Sequence, residues 1–417
     1  MNLNGLNFDN MPPFEVPRGF FLTAPLFGIL SALIIAFSGE QLWVSRWTPA
    51  TLALTHAMVL GVISITMFGA LFQLLPVLGG ITIPRVKLVA YTVLSALSLG
   101  TSLLVAGFYF SNYELFVPAI SLLGMVLIGF ILLILDQIRK YNVANESIRA
   151  IKTGIFSLVL VLAIATLLLA DYLLGTSFNG SKVLTDYHAT WGLVGWISLI
   201  IIGVSFQVIP MFHVAPAFPK WCTNLLVGGL FSALIINFIC SFFSHLVMIG
   251  QASTLLIKLL LVVYGMTALR LLTQRKRKIK DPSITCWQIG FVTLIGVSVM
   301  GIVASFIDLP TELSTELSFA LVVLFVFGWI ISVIMAMTIK IMPFLAYLHL
   351  QQLCGSNFEA FALLPNVHQL LSKKKMNLLL MSHISSLIAL AITLIAPSFY
   401  GLLAASTLIQ FSYLALI

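Results

Sequence analysis

Charged residues are scarce in this chain, and their scarcity excludes most classes of soluble protein. Only 8% of the 417 residues are Asp, Glu, Lys or Arg, whereas these residues make up about a quarter of an average soluble domain. Hydrophobic residues account for 60%, and the mean hydropathy is +1.11. This composition is typical of proteins that cross the lipid bilayer several times.

Cysteine and the common catalytic motifs are also rare or absent. The four cysteines show no Cys-x-x-Cys spacing, which argues against a thiolate metal site and gives no indication of structural disulfides. The sequence has no Walker loop, dinucleotide fingerprint, nucleophile elbow or His-Glu-x-x-His motif. Nucleotide-driven transport and hydrolytic chemistry therefore have no support.

Long hydrophobic runs, by contrast, fill the chain. A stretch of about 20 apolar residues crosses the bilayer as a helix, because only a helix satisfies every backbone polar group internally. We predict an all-α protein with twelve transmembrane helices in a single membrane domain, residues 1–417. The helices are predicted at about 19–38, 50–78, 87–109, 114–136, 151–174, 187–212, 222–247, 251–272, 284–307, 317–345, 376–396 and 398–416.

Lysine and arginine are distributed unevenly among the predicted loops. With the N-terminus placed in the cytoplasm, 18 of the 21 cations lie on or near the cytoplasmic side, as the positive-inside rule requires. The net charge of +8 is thus a signal of topology. We interpret the basic run from Arg275 to Lys280 as part of this anchor and do not expect a nucleic-acid site.

One pattern occurs three times, each time in a long apolar helix. The copies are Gly61, Gly69, Gln73 and Pro76; Gly195, Gly203, Gln207 and Pro210; and Gly328, Ala336, Lys340 and Pro343. Corresponding positions lie 134 and then 133 residues apart. The spacing predicts three similar units of four helices, at about 1–140, 141–280 and 281–417, in which the second, sixth and tenth helices are equivalent.

This repeated pattern has two interpretations. Glycines let membrane helices approach closely, and a proline near the end stops or kinks a helix, so the pattern could serve packing alone. An amide or amine near the membrane needs a partner, however, and the third copy has a lysine where the others have glutamine. Gln73, Gln207 and Lys340 are therefore predicted to form a polar ring toward the cytoplasmic side, which could line a solute path.

Histidines are the candidate cofactor ligands, because imidazole binds haem iron, copper and zinc. Three of them, on the second, sixth and seventh predicted helices, are placed in the outer part of the membrane: His56, His188 and His245. Each could simply be hydrogen-bonded to a neighbouring helix. If the three imidazoles converge they could hold copper, and His56 alone could be an axial haem ligand. A separate inner site would draw on His213 and His383.

The helix plan and the residues around His56 resemble a known family. The stretch Thr55-His56-Ala57-Met58-Val59-Leu60-Gly61, running on to Gly69-Ala70-Leu71-Phe72-Gln73-Leu74-Leu75-Pro76, is similar to the second helix of subunit I of the haem–copper oxidases. Twelve helices in three groups of four are similar to that subunit as well. Within the superfamily, the chain resembles most the short, divergent branch that includes the NnrS-type membrane proteins of nitric-oxide response.

The resemblance implies roles for particular residues. His56 would be an axial ligand of a low-spin haem, and His188 is the nearest candidate for the copper-ligating histidine of the sixth helix. His245 would stand where the family has a histidine pair on the seventh helix. The family also has two haem ligands on the tenth helix, whereas this sequence has no histidine between Phe319 and Pro343. A complete oxygen-reducing site is therefore not expected.

Three functions remain open on the sequence alone. The first is a bacterial inner-membrane protein with the oxidase-subunit fold that has lost oxidase chemistry and binds one haem or one copper, in nitric-oxide or metal-linked redox physiology. The second is a cofactor-free transporter or channel whose polar path contains Gln73, Gln207 and Lys340. The third is a structural subunit that assembles with other membrane proteins. The lipid bilayer would be a partner in every case.

Overall fold

The computed structural model of the protein describes residues 11–174, 181–355 and 357–416. Within these ranges the chain is helical and contains no β-strand. Eleven of the described helices are long and apolar enough to cross a membrane, and a shorter helix follows them. The helices are α1 (Glu15–Ser38), α2 (Pro49–Gly79), α3 (Val86–Tyr109), α4 (Tyr113–Tyr141), α5 (Glu146–Leu174), α6 (Lys182–His213), α7 (Lys220–Cys240), α8 (Ser244–Thr273), α9 (Pro282–Ala304), α10 (Thr311–Cys354), α11 (Lys373–Ile395) and α12 (Tyr400–Ala415).

The tenth and twelfth helices differ from their predicted limits. The sequence predicts that the tenth helix ends at about 345, just after Pro343, whereas α10 continues to Cys354. Proline removes one backbone hydrogen bond, but buried residues beyond it, such as Leu345, keep the chain packed and helical. The predicted segment 398–416 forms a 3₁₀ turn and then α12, whose 16 residues are fewer than the roughly 20 that usually span a bilayer.

Local capping explains where two of the helices begin. The side chain of Thr48 accepts a hydrogen bond from the backbone N–H of Thr51, and Pro49 occupies the first turn of α2. Asp281 caps α9 in the same way, with Pro282 in the first turn. In both cases the side-chain oxygen satisfies a backbone donor that the helix itself leaves unpaired.

Among the helices described, nine form an outer ring around three inner ones. Successive neighbours around the ring are α1, α3, α4, α5, α7, α8, α9, α11 and α12, and α12 packs against α1 to close it. The inner helices α2, α6 and α10 are the most enclosed. In their apolar stretches 67–83% of the residues are buried, against 28–56% in the other eight spans. The core therefore lies around the three helices that carry the repeated pattern.

The glycines of the repeated pattern lie where each inner helix meets the helix before it. A Cβ atom would lie 2.3 Å from Phe27 at Gly61, 2.5 Å from Phe20 at Gly69, 2.9 Å from Ser157 at Gly195, 2.4 Å from Ala150 at Gly203 and 2.4 Å from Thr293 at Gly328. These contacts join α2 to α1, α6 to α5 and α10 to α9. The three pairs of helices approach more closely than any larger residue would allow.

Each inner helix also contains a π-helical segment. The segments are Ala57–Ser64, Trp191–Ser198 and Phe325–Ile331, and each begins 134 residues after the one before. A buried serine recurs at the same interval, at Ser64, Ser198 and Ser332. The hydroxyl of Ser198 donates to the carbonyl of Leu193 at 2.6 Å. The hydroxyl of Ser332 donates to the carbonyl of Gly328 at 2.7 Å. π-Helical turns are rare and occur frequently at functional sites, so the shared position distinguishes these three helices.

Candidate functional site

The helix ends lie at two faces of the molecule. We call the end at which α1 begins the N-terminal face and the other end the opposite face. At the N-terminal face, Asn145 donates to the carbonyl of Leu78 at 2.9 Å and joins the start of α5 to the end of α2. At the opposite face, Arg46 and Asp186 form an ion pair at 2.6 Å between the segment before α2 and the start of α6. Two of the predicted histidine ligands, His56 and His188, follow Arg46 and Asp186 in the sequence.

His56 lies in α2 immediately before its π-helical segment. The Nδ1 atom is 2.8 Å from the carbonyl oxygen of Leu52, and the ring stacks on Phe108 of α3 with centroids 5.1 Å apart. Because a carbonyl oxygen only accepts hydrogen bonds, Nδ1 carries the proton and donates. In a neutral imidazole this leaves the lone pair on Nε2, which is an atom that metals bind.

His188 lies in α6 and is held in the same way. Its Nδ1 donates to the carbonyl of Val161 in α5 at 3.3 Å. The preceding residue, Tyr187, donates to the carbonyl of Asn237 in α7 at 3.3 Å, which fixes the start of α6. The imidazoles of His188 and His56 are close enough to interact electrostatically. Two of the three predicted histidines thus lie within electrostatic range of each other, each with Nδ1 held by a backbone carbonyl.

His245 is not on the seventh helix, where the sequence places it. α7 ends at Cys240, and His245 lies in an exposed turn that begins α8, with its ring 5.8 Å from that of Phe243. The early turn follows from the packing of α7 on α8, where Asn237 donates to the carbonyl of Gly250 at 3.0 Å and sets the register. Among the residues that the structure describes, no group of three or more His, Cys, Asp or Glu side chains is arranged to hold a metal ion.

The residues of the predicted polar ring have different surroundings. Lys340 forms an ion pair with Asp281, and the two side chains are 18% and 20% exposed. Gln73 is buried and lines a shallow pocket at the N-terminal face together with His349. Gln207 is partly buried in α6. In the described part of the chain, no hydrogen bond joins Gln73, Gln207 and Lys340 to one another.

Asp281 receives hydrogen bonds from two residues. Ser283 donates to Oδ1 from its hydroxyl at 2.8 Å and from its backbone N–H at 3.0 Å, and Lys340 donates to Oδ2. Burial alone would raise the pKa of Asp281. The hydrogen bond and positive charge of Lys340, with the two bonds from Ser283, outweigh burial and lower that pKa below its ordinary value. The carboxylate therefore stays ionised at neutral pH and holds α9 to α10.

His213 and His383, the candidates for an inner site, lie in different clusters. His213 ends α6 near Lys340 and Asp281. His383 of α11 is 1% exposed, and its Nε2 is 2.7 Å from the hydroxyl oxygen of Ser332. Since Ser332 gives its single hydrogen to a backbone carbonyl, His383 donates from Nε2 and keeps its lone pair on Nδ1.

The surroundings of His383 form a buried polar cluster that the sequence analysis missed. Five buried polar atoms there make no hydrogen bond of ordinary geometry: Nδ1 of His383, the hydroxyl oxygens of Ser386 and Thr407, and both amide atoms of Gln410. The side chain of Gln410 nevertheless lies close enough to His383 to interact with it. A usable signal is present in the sequence. His383 and Ser386 are three residues apart in α11, and Thr407 and Gln410 are three apart in α12, so each pair lies on one helix face.

A cavity of about 60 Å³ lies between the three inner helices. Its walls are almost entirely apolar and include Thr66 of α2, Val204 of α6, Met337 of α10 and Trp287 of α9. The indole Nε1 of Trp287 is buried without a partner. A space with so few polar groups suits a small apolar molecule better than water.

Comparisons with known proteins place no constraint on this arrangement. Neither the search against known protein families nor the search against characterised proteins found a match to the chain.

Proposed function

We propose that this chain is a bacterial inner-membrane protein of the haem–copper oxidase subunit I type that lacks a complete oxidase site and binds one copper ion between His56 and His188. The observation that carries the proposal is that His56 of α2 and His188 of α6 lie within electrostatic range of each other near the same face of the molecule. In each of them Nδ1 donates to a backbone carbonyl. Such bonds fix the tautomer of a metal-binding histidine and direct its other nitrogen toward the ion.

The architecture supports the family assignment. Three enclosed helices, each with a π-helical segment at an interval of 134 residues, favour three equivalent units of four helices. The absence of histidine between Phe319 and Pro343 argues against the second haem site of the oxidases. The excess of lysine and arginine in the loops of the N-terminal face favours a cytoplasmic position for that face.

A copper ion at this site would supply a redox centre with coordination positions left open for a small molecule such as nitric oxide. The surrounding residues would hold the two imidazoles in position. The carbonyls of Leu52 and Val161 hold the two imidazoles, and Phe108 stacks on His56 and restrains its rotation. His245 would remain outside the site, on its exposed turn.

Metal analysis of the purified full-length protein tests the proposal. Protein from copper-supplemented cells is expected to contain about one copper per chain and no haem absorption band. His56→Ala and His188→Ala should each lose most of the copper, because a single remaining imidazole binds the ion weakly. His245→Ala is the matched control and should keep the wild-type content.

The same measurement separates the competing outcomes. A haem absorption band that disappears in His56→Ala would replace copper with haem as the cofactor. Protein with neither metal nor haem, or copper that persists in both variants, would overturn the cofactor proposal.

The central cavity favours a second candidate function, a cofactor-free carrier or channel. The cavity lies between the three equivalent helices, where repeat-built transporters place their substrates. Its apolar walls point to a small hydrophobic solute, and Lys340 lies one residue from the lining residue Ile341. Uptake into proteoliposomes that is abolished by Lys340→Gln and unchanged by His56→Ala would favour transport over copper binding.

A further inference from the structure

A second cluster of polar groups lies at the N-terminal face, where α6 ends. His213 is 3% exposed, and its Nε2 has no hydrogen-bond partner. The next residue, Val214, has a φ of +51°, a left-handed conformation that is strained for a β-branched side chain. The backbone N–H of Lys276 donates to the carbonyl of Val214 at 3.0 Å and holds this turn against the loop after α8. The chain thus fixes the position of His213 at a cost in backbone strain.

Charged groups from the neighbouring elements face His213. Lys340, Asp281 and Arg275 all lie close enough to its imidazole to interact electrostatically. Lys340 is paired with Asp281. Arg275 donates from Nη1 to the carbonyl of Leu272 at 2.9 Å, but its Nε is buried and has no partner. These groups comprise two cations and one carboxylate, so a positive charge remains uncompensated even when His213 is neutral.

An anion would complete this cluster, because buried charge and buried donors are costly unless they are paired. We propose that the site binds a phosphate oxyanion, with hydrogen bonds from Nε of Arg275 and Nε2 of His213 and with electrostatic support from Lys340. A guanidinium is well suited to this ligand. A phospholipid headgroup and a free phosphate share this chemistry. The site uses none of the residues of the copper proposal and stands independently of it.

Ligand-induced stabilisation of the full-length protein tests the proposal, since a ligand that binds the folded state raises the unfolding midpoint. The protein is purified in a maltoside detergent and phosphate-free buffer, and thermal unfolding is followed with added sodium phosphate. We expect a saturable rise in the midpoint that exceeds the rise with sodium chloride at equal ionic strength. A rise with phosphatidylglycerol in mixed micelles, but not with sodium phosphate, would support the site and assign it to a lipid headgroup.

Variants of the cluster make the test specific. Arg275→Gln should weaken binding of radiolabelled phosphate, or the stabilisation by phosphatidylglycerol, by about tenfold or more, because one charged hydrogen bond is lost. His213→Gln keeps an amide donor near the position of Nε2 and should weaken binding less than Arg275→Gln. Lys278→Gln removes an exposed cation from the same loop and should leave binding unchanged.

Two results would overturn the site. They are a phosphate effect no larger than that of chloride together with no stabilisation by phosphatidylglycerol, and wild-type binding in Arg275→Gln. The last variant changes a partly exposed loop residue, so it remains informative if His213→Gln fails to fold.

Discussion

The ion pair between Asp281 and Lys340 is a single side-chain contact that joins the start of α9 to α10. Asp281→Asn would leave a mostly buried ammonium group without its carboxylate, while an amide oxygen could still cap α9. We expect a loss of about 1–3 kcal/mol in the free energy of unfolding, less than for a fully buried pair because both side chains are partly exposed. Unfolding in a denaturing detergent measures the loss. Asp308→Asn, at an exposed position, should change stability by less than about 0.5 kcal/mol.

The same carboxylate predicts a dependence of stability on pH. The pKa of Asp281 is lower in the folded protein than in the unfolded chain. Its contribution to stability is therefore fully present above the unfolded pKa of about 4 and is lost as the pH falls through the lower folded value. Thermal unfolding of the wild type should lose more stability below pH ~4 than that of Asp281→Asn. Parallel profiles for the two proteins would contradict the pKa shift.

The polar cluster around His383 predicts different changes in stability for two substitutions that each remove a hydroxyl group. Ser332→Ala removes the acceptor of the His383 Nε2–H and should cost about 1–3 kcal/mol of stability, because a buried donor is left unpaired. Thr407→Val removes a hydroxyl that has no partner, with little change in shape, and should be neutral or stabilising. Unfolding midpoints of the two variants provide the comparison. A substantial loss in Thr407→Val would show that its hydroxyl has a partner, such as a bound water.

At the scale of the helices, the glycine contacts determine how closely the inner helices pack. A Cβ atom at Gly203 would lie 2.4 Å from the Cβ of Ala150, whereas one at Gly124 of α4 would meet nothing within 4 Å. Gly203→Ala should therefore destabilise the protein by about 1–3 kcal/mol through overpacking. Gly124→Ala should be neutral or stabilise it by up to about 1 kcal/mol through helix propensity. Equal midpoints for both variants would argue against the packing role of Gly203.

The positions of the helices and the packing of the glycines could be predicted because both depend on local sequence. Apolar runs identify the spans, and the small residues mark close approaches such as that of Gly61 to Phe27. The partner of Lys340 could not be predicted, since Asp281 is 59 residues away and no local pattern connects them. The position of His245 depends on the register between α7 and α8, which a side chain in one helix sets against the backbone of the other.

The candidate site was predictable only in part for a related reason. Residue type identified His56 and His188 as possible ligands, but their approach depends on the packing of α2, α5 and α6 around one another. The sequence also carries a signal from which the three π-helical segments could have been recognised as equivalent. The serines at 64, 198 and 332 repeat at 134-residue intervals, a more regular spacing than that of the glycines.

At the scale of the whole molecule, the open question is whether the described helices cross the membrane eleven or twelve times. The side of the membrane on which the chain emerges after α12 distinguishes the two. α12 has 16 residues but packs against both α1 and α11. We expect it to cross, so that a reporter fused after residue 417 lies on the same side as one inserted in the basic segment at Lys373–Lys375. Activity of the two reporters in opposite compartments would show that α12 does not cross.

The contact between α1 and α12 also governs how the molecule is assembled. A Cβ atom at Gly28 of α1 would lie 2.1 Å from the ring of Phe411 in α12, so the two helices fit closely. Because α12 is synthesised long after α1, the surface of α1 that packs on it stays uncovered until α12 is in place. The ring of nine outer helices therefore closes only when α12 packs against α1. A circularly permuted chain that begins at α5 and links α12 to α1 would keep the same neighbours and could enclose the same three helices.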